Sequence, residues 1–131
     1  MFNVQSPRTD DASIEAEIQA KGKTAPRITP AQIEQVIASE WYFTALDGAG
    51  AIDWDAPAGG NIPQLMAQAK ESLGLLTFCV LVLRNGFTVT GESACVSPET
   101  FDAEIGRKIA RANAVQKIWV LEGYALKQKL S

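Results

Sequence analysis

Basic side chains recur at helical spacing in the last third of the chain, and they offer the most specific chemistry in the sequence. Arg107, Lys108 and Arg111 lie close together, and Lys117 follows nearly two helical turns later. Side chains three and four positions apart are neighbours on a helix surface. Guanidinium groups match phosphate oxygens with two parallel hydrogen bonds. The row therefore fits a phosphate-binding surface, although a solvated helix face without a ligand fits the same four residues.

One aromatic residue, Phe87, directly follows the dipeptide Asn85-Gly86, which is a strong signal for a hairpin turn. A ring at the tip of a hairpin, beside Arg84, is placed to stack on a nucleobase. The alternative is a ring that packs in the hydrophobic core. Both interpretations stay open on the sequence alone.

Catalysis has little support in the sequence. The chain contains no histidine, which excludes serine triads and histidine-based acid, base or metal sites. Two carboxylate pairs, Asp53 with Asp55 and Asp102 with Glu104, lack the apolar surroundings that acid–base chemistry requires. No glycine-rich loop combines the preceding strand and following lysine of a phosphate cradle. We therefore expect a binding protein, not an enzyme, with no cofactor and no metal.

Length and composition predict a single domain over residues 1–131. The apolar and charged fractions, 47% and 21%, are typical of a globular protein, and no stretch approaches the roughly 20 apolar residues of a membrane helix. The net charge of −3 argues against a duplex nucleic acid as partner. The acidic N-terminus is unlike a signal or transit peptide. A cytoplasmic protein with no membrane partner is the expectation.

The sequence predicts a hairpin followed by a long helix. Residues 75–83 are apolar and rich in strand-forming side chains. A two-residue turn at Asn85-Gly86 would pair Arg84 with Phe87, and would set Cys79 opposite Glu92 with Cys95 on the other face. The two thiols should therefore stay unpaired. Ser97 and Pro98 resemble the N-cap and first residue of the helix that carries the basic row.

The first half of the chain predicts helices. Residues 1–25 are expected to be flexible or docked on a partner, with a short helix over 12–20. A second helix begins at Pro30 with Thr29 as its N-cap and continues to about residue 46. Residues 47–72 read as an inserted surface loop, carrying Trp54, followed by a short helix that ends at Gly74.

These elements predict an α+β fold: a small antiparallel sheet built around the hairpin and packed with the long C-terminal helix and an N-terminal helix. A two-stranded hairpin that is apolar on both faces leaves its edges and one face uncovered. A second subunit would cover them most economically. We therefore expect a homo-oligomer, most simply a two-fold dimer.

Several motifs resemble a widespread family of small phage-encoded accessory proteins. They are NGF at residues 85–87, GESACVSPETFD at 91–102, EIGRKIA at 104–110, NAVQKIW at 113–119 and LEGY at 121–124. The segment TAPRITPAQIE, at residues 24–34, is similar to the start of that family's N-terminal helix. Residues 47–72 resemble an insertion that many relatives lack.

The same family resembles the Thoeris anti-defence proteins of the first type, which bind a cyclic ADP-ribose-type immune signal at a dimer interface without cleaving it. Some of these proteins form hexamers and also hold cyclic oligonucleotides. The resemblance implies six ligand-binding residues. Phe87 would stack on adenine, Ser97 would contact the ligand, Arg111 or Lys117 would bind phosphate, and Arg27 and Thr90 would serve an oligonucleotide site. The alternative function is inhibition of a host protein by direct contact, using the loop that carries Trp54.

Overall fold

The computed structural model describes residues 11–22, 25–50 and 63–131. Five α-helices and three strands occur in this part of the chain. In chain order they are α1 (Asp11–Ala20), α2 (Pro30–Gln35), β1 (Ile37–Thr44), α3 (Ala45–Ala49), α4 (Pro63–Gly74), β2 (Leu76–Leu83), β3 (Thr88–Ala94) and α5 (Ala103–Leu130). The α+β class, the N-terminal helix and the long C-terminal helix are confirmed. Trp54 lies outside the described residues.

The largest correction concerns the predicted helix over residues 30–46. Helix α2 begins as predicted, with the Thr29 hydroxyl accepting a hydrogen bond from the backbone N–H of Gln32 at 3.2 Å. It ends at Gln35, however, and the chain continues as strand β1. Residues 37–44 (IASEWYFT) are rich in β-branched and aromatic side chains, which favour a strand once a pairing partner is available. Tertiary pairing therefore decides this segment.

The sheet is antiparallel with the order β1-β2-β3, so β2 is its central strand. Strand β1 of the same chain covers one edge of β2. A two-stranded hairpin would leave this edge open to a second subunit. The homo-oligomer therefore stays a prediction and no longer follows from a bare two-stranded hairpin. Strand β3 is an edge strand in the described part of the chain.

The register of the hairpin differs from the predicted one by one residue. The backbone N–H of Leu83 donates to the carbonyl of Phe87 at 2.8 Å, and the N–H of Gly86 donates to the carbonyl of Leu83 at 2.9 Å. The connection is a three-residue loop in which Gly86 has a φ of 89°, a left-handed conformation that favours glycine. Cys79 consequently lies opposite Gly91 instead of Glu92. A shift of one residue exchanges the two faces of a strand.

Helix α5 covers the face that this register creates. Nine buried residues form the core: Ile33, Cys79, Leu81, Leu83, Val89, Ala110, Ala114, Val115 and Ile118. Both cysteines are buried and unpaired, as predicted. The predicted placement of Cys95 on the opposite face is wrong, because its N–H donates to the Leu75 carbonyl and continues the ladder on the face that carries Cys79. The helix begins at Ala103 with Asp102 as its N-cap, and Ser97 precedes a separate 3₁₀ turn at Pro98–Thr100. The predicted helix start was therefore five residues early.

Small residues allow α5 to approach β3 closely. A Cβ atom added to Gly91 would overlap the backbone carbonyl of Ala110 and the amide nitrogen of Ala114, and would lie 3.0 Å from the Cα of Ala114. One helical turn before Ala110 in α5, a Cβ on Gly106 would lie 3.1 Å from the Thr77 hydroxyl. Helix and strand thus meet backbone to backbone at Gly91.

Helix α1 packs on the same chain through polar contacts. The two terminal guanidinium nitrogens of Arg27, Nη1 and Nη2, donate to the Glu15 carboxylate, and the Nη2 bond is 2.8 Å long. The Trp119 indole donates to the Asp11 carboxylate at 3.2 Å. No helix in the described part of the chain is long and apolar enough to cross a membrane.

A substitution at Gly91 tests this close approach. Gly91→Ala should lower the free energy of unfolding by about 3 kcal/mol, because the added methyl group meets backbone atoms that cannot rotate away. Gly123→Ala is the matched control, since nothing lies within 4 Å of a Cβ there. It should raise stability by about 0.5–1 kcal/mol through helix propensity. Urea unfolding measures both variants, and a Gly91→Ala protein as stable as the parent would contradict the packing.

Candidate ligand-binding site

An open groove of about 440 Å³ lies between the hairpin tip, strand β3 and helix α5. Its size is within the range of roughly 300–1,000 Å³ that small-molecule sites occupy. The walls are mostly apolar, with one ammonium group and two hydroxyl groups. The lining residues are Phe87, Thr88, Val89, Thr90, Lys117, Val120 and Leu121.

Phe87 forms the outer lip of this groove. The residue follows the hairpin loop directly, and its backbone N–H donates to the Asn85 side-chain carbonyl at 3.0 Å. Its side chain is 56% exposed. A ring held at a tight turn and half open to solvent presents a face on which a planar group can stack. The alternative of a core residue does not describe this position.

Lys117 supplies the positive charge. It projects from α5 towards the edge of the sheet, and its ammonium nitrogen lies 3.4 Å from the Thr90 hydroxyl, to which it donates. In the ranges that the structure describes, no carboxylate lies within ion-pair distance of Lys117. The groove therefore holds a cation without a protein counter-ion, which suits an anionic ligand.

The free edge of β3 adds backbone donors. Hydrogen-bonded pairs alternate along an antiparallel ladder. Since Leu83 pairs with Phe87 through such a bond, the backbone groups of Thr88, Thr90 and Glu92 point away from β2. The Asn113 amide confirms this direction, because it donates to the Glu92 carbonyl at 2.8 Å from the side of α5. The N–H groups of Thr88 and Thr90 thus face outward beside the groove.

Arg111 belongs to a different environment. Its guanidinium donates to Glu34 at 2.7 and 3.2 Å and to Glu40 at 3.0 and 3.0 Å. Hydrogen bonds from Arg111 hold the pKa of Glu40 below its ordinary value of 4.5, and the two glutamates raise the pKa of Arg111. The residue ties α5 to α2 and β1. A phosphate at Arg111 would compete with two carboxylates, so its ligand-binding role stays a prediction.

Ser97 and Arg27 also lie outside the groove. Ser97 follows β3 at the end opposite to the hairpin tip, and its hydroxyl donates to the Glu99 carboxylate at 2.6 Å, which lowers the pKa of Glu99. Arg27 binds Glu15 of α1, and this contact lowers the pKa of Glu15 to about 2. The fold of the single chain therefore brings together Phe87, Thr90 and Lys117, and keeps the other predicted residues apart.

Two features of the site were missed in the sequence. Val120 and Leu121 form the helical wall, although their spacing from Lys117 at i+3 and i+4 was a usable signal. The contacts of Arg111 with Glu34 and Glu40 have no local sequence signal, because these glutamates lie 77 and 71 positions earlier in the chain. Among the described residues, no group of three or more cysteine or acidic side chains is placed to hold a metal ion.

The ion pairs of Arg111 predict that part of the free energy of unfolding is lost at acidic pH. Arg111→Gln should lower the free energy of unfolding by about 1–2 kcal/mol at pH 6, after allowance for the partial exposure of the carboxylates. Folding lowers the pKa of Glu40. The contribution of its ion pair to the free energy of unfolding is therefore fully present above pH 4.5 and is lost as the pH falls below that value. The difference in stability between parent and variant should therefore shrink as the pH falls from 4.5 through the lowered pKa of Glu40.

Urea unfolding at several pH values measures this difference. Lys108→Gln is the matched control, because its pair with Glu104 is 75% and 71% exposed and should contribute almost nothing. Equal stability of the parent and Arg111→Gln at pH 6 would contradict a structural role for Arg111.

Comparison with known proteins identifies the family. No curated protein and no solved structure matches the chain significantly. A family model described as the Phage protein (N4 Gp49/phage Sf6 gene 66) family matches residues 28–130, which include every strand and the whole of α5, whereas α1 precedes the match. The matched segment is well over half of the chain. The chain therefore belongs to the N4 Gp49/phage Sf6 gene 66 family of phage proteins.

Proposed function

We propose that the protein is a phage anti-defence factor that binds and sequesters a cyclic nucleotide immune signal of the cyclic ADP-ribose type without cleaving it. The observation that carries the proposal is the groove in which an exposed aromatic ring, an unpaired ammonium group and outward backbone donors converge. Membership of a phage protein family supports a role in phage infection. The choice of ligand follows the resemblance of the sequence motifs described above. The site of action would be the cytoplasm of the infected bacterium.

The groove residues match the parts of such a ligand. Adenine is planar and stacks on an aromatic ring, which Phe87 provides. A pyrophosphate carries negative charge, which Lys117 complements, and accepts hydrogen bonds from the outward N–H groups of Thr88 and Thr90. The apolar wall of Val120 and Leu121 supports the ribose and base edges. The adenine ring and the pyrophosphate of such a nucleotide therefore each have a complementary group in the groove.

The lining also favours binding over cleavage. Hydrolysis of a glycosidic or phosphate bond needs an acid, a base or a bound metal at the reacting atoms. Among the described residues, the groove lining includes no carboxylate and no thiol, and its one ionisable group is Lys117. A single lysine can bind an anionic ligand, and the lining offers no second ionisable group with which it could form an acid–base pair.

A homo-oligomer is part of the proposal. The groove is open on one side, whereas sites that retain a small molecule bury most of its surface. A second copy would complete the enclosure. Ser97, Arg111 and Arg27, which lie outside the groove of one protomer, would contribute only from another copy or at a separate oligonucleotide site.

A second candidate function is inhibition of a host protein by direct contact. The sheet face opposite α5 carries Trp41, which is 60% exposed, and Phe43, whose ring stacks on Phe78 with centroids 5.7 Å apart. Exposed aromatic residues that form a contiguous patch are typical of protein–protein interfaces. The loop carrying Trp54, the original basis of this alternative, lies outside the described residues.

Calorimetric titration with cyclic ADP-ribose isomers tests the leading proposal. Phe87→Ala should weaken binding by about 5- to 150-fold, the equivalent of about 1–3 kcal/mol for a lost stacking contact. Its melting temperature should change by only a few degrees, since the ring is half exposed. Lys117→Gln should lose a charge-assisted hydrogen bond of about 1.5–3 kcal/mol.

Lys127→Gln is the matched control, because Lys127 lies on the same helix outside the groove. It should bind like the parent. Wild-type affinity in both Phe87→Ala and Lys117→Gln would remove the groove from the proposal. No binding by the parent to any cyclic nucleotide would favour the protein-contact function.

A further inference from the structure

The groove beside β3 is a cleft between the edge of a strand and a helix. The Asn113 amide of α5 donates to the Glu92 carbonyl of β3 at 2.8 Å. One helical turn later on α5, the Lys117 ammonium donates to the Thr90 hydroxyl, two residues earlier on β3. Helix and strand therefore run side by side in opposite directions, and an extended segment of chain can lie between them.

The edge of β3 in this cleft is an unfinished hydrogen-bond ladder. The N–H and carbonyl groups of Thr88 and Thr90 point away from β2, and no other element in the described part of the chain bonds to them. The next outward carbonyl, that of Glu92, already accepts a bond from Asn113. The edge thus offers two donors and two acceptors, which suffice for a short added strand.

We propose that this cleft binds an extended peptide segment of another protein, which adds a fourth strand to the edge of β3 and places an acidic side chain at Lys117. Addition of a peptide strand to a free sheet edge is a common mode of recognition, in which backbone bonds supply affinity and side-chain pockets supply specificity. The inference goes beyond the proposed function, because it gives the groove a second class of ligand that excludes the nucleotide while it is bound.

The spacing of the groove residues specifies the peptide. Alternate side chains of a strand point to the same face and lie about 6.8 Å apart. On α5, Lys117 and the apolar wall of Val120 and Leu121 are one helical turn apart, about 5.4 Å. A strand antiparallel to β3 runs in the direction of α5. Its side chains facing the helix therefore read acid, then an apolar residue two positions later.

Lys117 determines which strands can pair with the edge. Among the described residues no carboxylate lies within ion-pair distance of its ammonium group. Lysine at a sheet edge opposes indiscriminate pairing, because a basic strand is repelled and an apolar strand would bury the charge without a partner. A carboxylate would replace the neutral Thr90 hydroxyl with a charged acceptor, which makes a stronger hydrogen bond. The charge of the cleft therefore selects an acidic strand.

Titration with short peptides tests the strand addition. The probe is a blocked, fluorescein-labelled peptide of sequence Thr-Thr-Glu-Thr-Val-Thr-Thr, and the matched control peptide has lysine in place of glutamate. Fluorescence anisotropy should show that the acidic peptide binds at least about tenfold more tightly, the equivalent of one charge-assisted hydrogen bond. Equal affinities, or no binding of the acidic peptide at millimolar concentration, would overturn the inference.

A proline variant tests the backbone ladder. Thr88→Pro removes an outward N–H and no bond to β2, and proline is tolerated as the first residue of an edge strand. It should weaken binding of the acidic peptide by about 2- to 10-fold, the loss of one neutral hydrogen bond. Thr88→Val keeps the N–H and should bind like the parent. Thermal melting checks that both variants fold, and equal affinity in the two folded variants would contradict strand addition.

Nucleotide titration separates this inference from the proposed function. A parent protein that binds the acidic peptide and no cyclic nucleotide would contradict the proposed function alone. One that binds a cyclic ADP-ribose isomer and no peptide would contradict the strand addition alone. If both ligands bind, excess nucleotide should displace the labelled peptide, and simultaneous binding of the two would place the peptide outside the groove and overturn the inference.

Discussion

The contact on which the rest of the structure depends is the backbone approach of α5 to β3 at Gly91. A side chain of any size at this position would hold the helix away from the sheet, because its Cβ would overlap backbone atoms of Ala110 and Ala114. The Asn113 hydrogen bond to the Glu92 carbonyl then fixes the helix along the strand edge. These two constraints set Lys117 and Leu121 beside the outward groups of β3. The groove is thus a consequence of close packing between small residues.

Two members of the basic row of α5 lie in different environments, because they are on different faces of the helix. Arg111 points to the side of α2 and β1, where two glutamates hold it. Lys117, six positions later, points to the β3 edge, where the Thr90 hydroxyl is its polar neighbour. The sequence shows the row as one feature, whereas in the fold Arg111 contacts two glutamates and Lys117 lines the candidate groove.

Features set by local chemistry could be predicted from the sequence. The Thr29 cap, the strand at residues 76–83, the hairpin, and a helix ending at Gly74 follow from short-range signals and are confirmed. Strand β1 could not be predicted from such signals, because its partner lies more than thirty residues later in the chain. The hairpin register failed because a two-residue and a three-residue loop share the Asn85-Gly86 signature.

The same division applies to the candidate site. Phe87 and Lys117 could be singled out by residue type and by resemblance, and the fold brings them into one groove with Thr90. The contacts of Arg111 with two glutamates and the exposure of the last part of α5 depend on long-range packing. They could therefore be identified only in the folded structure. The described lining of this groove has an aromatic lip and one cation, and these are the features on which the proposed nucleotide binding rests.

Recovery of the ligand after binding tests that central claim most directly. The purified protein would be incubated with a cyclic ADP-ribose isomer, washed free of unbound nucleotide and then denatured by heat, and the released nucleotide would be identified by mass spectrometry. Sequestration predicts that the ligand is retained through the washes and released intact in stoichiometric amount. A released product of altered mass would show an enzyme instead, and an empty protein after washing would contradict nucleotide binding.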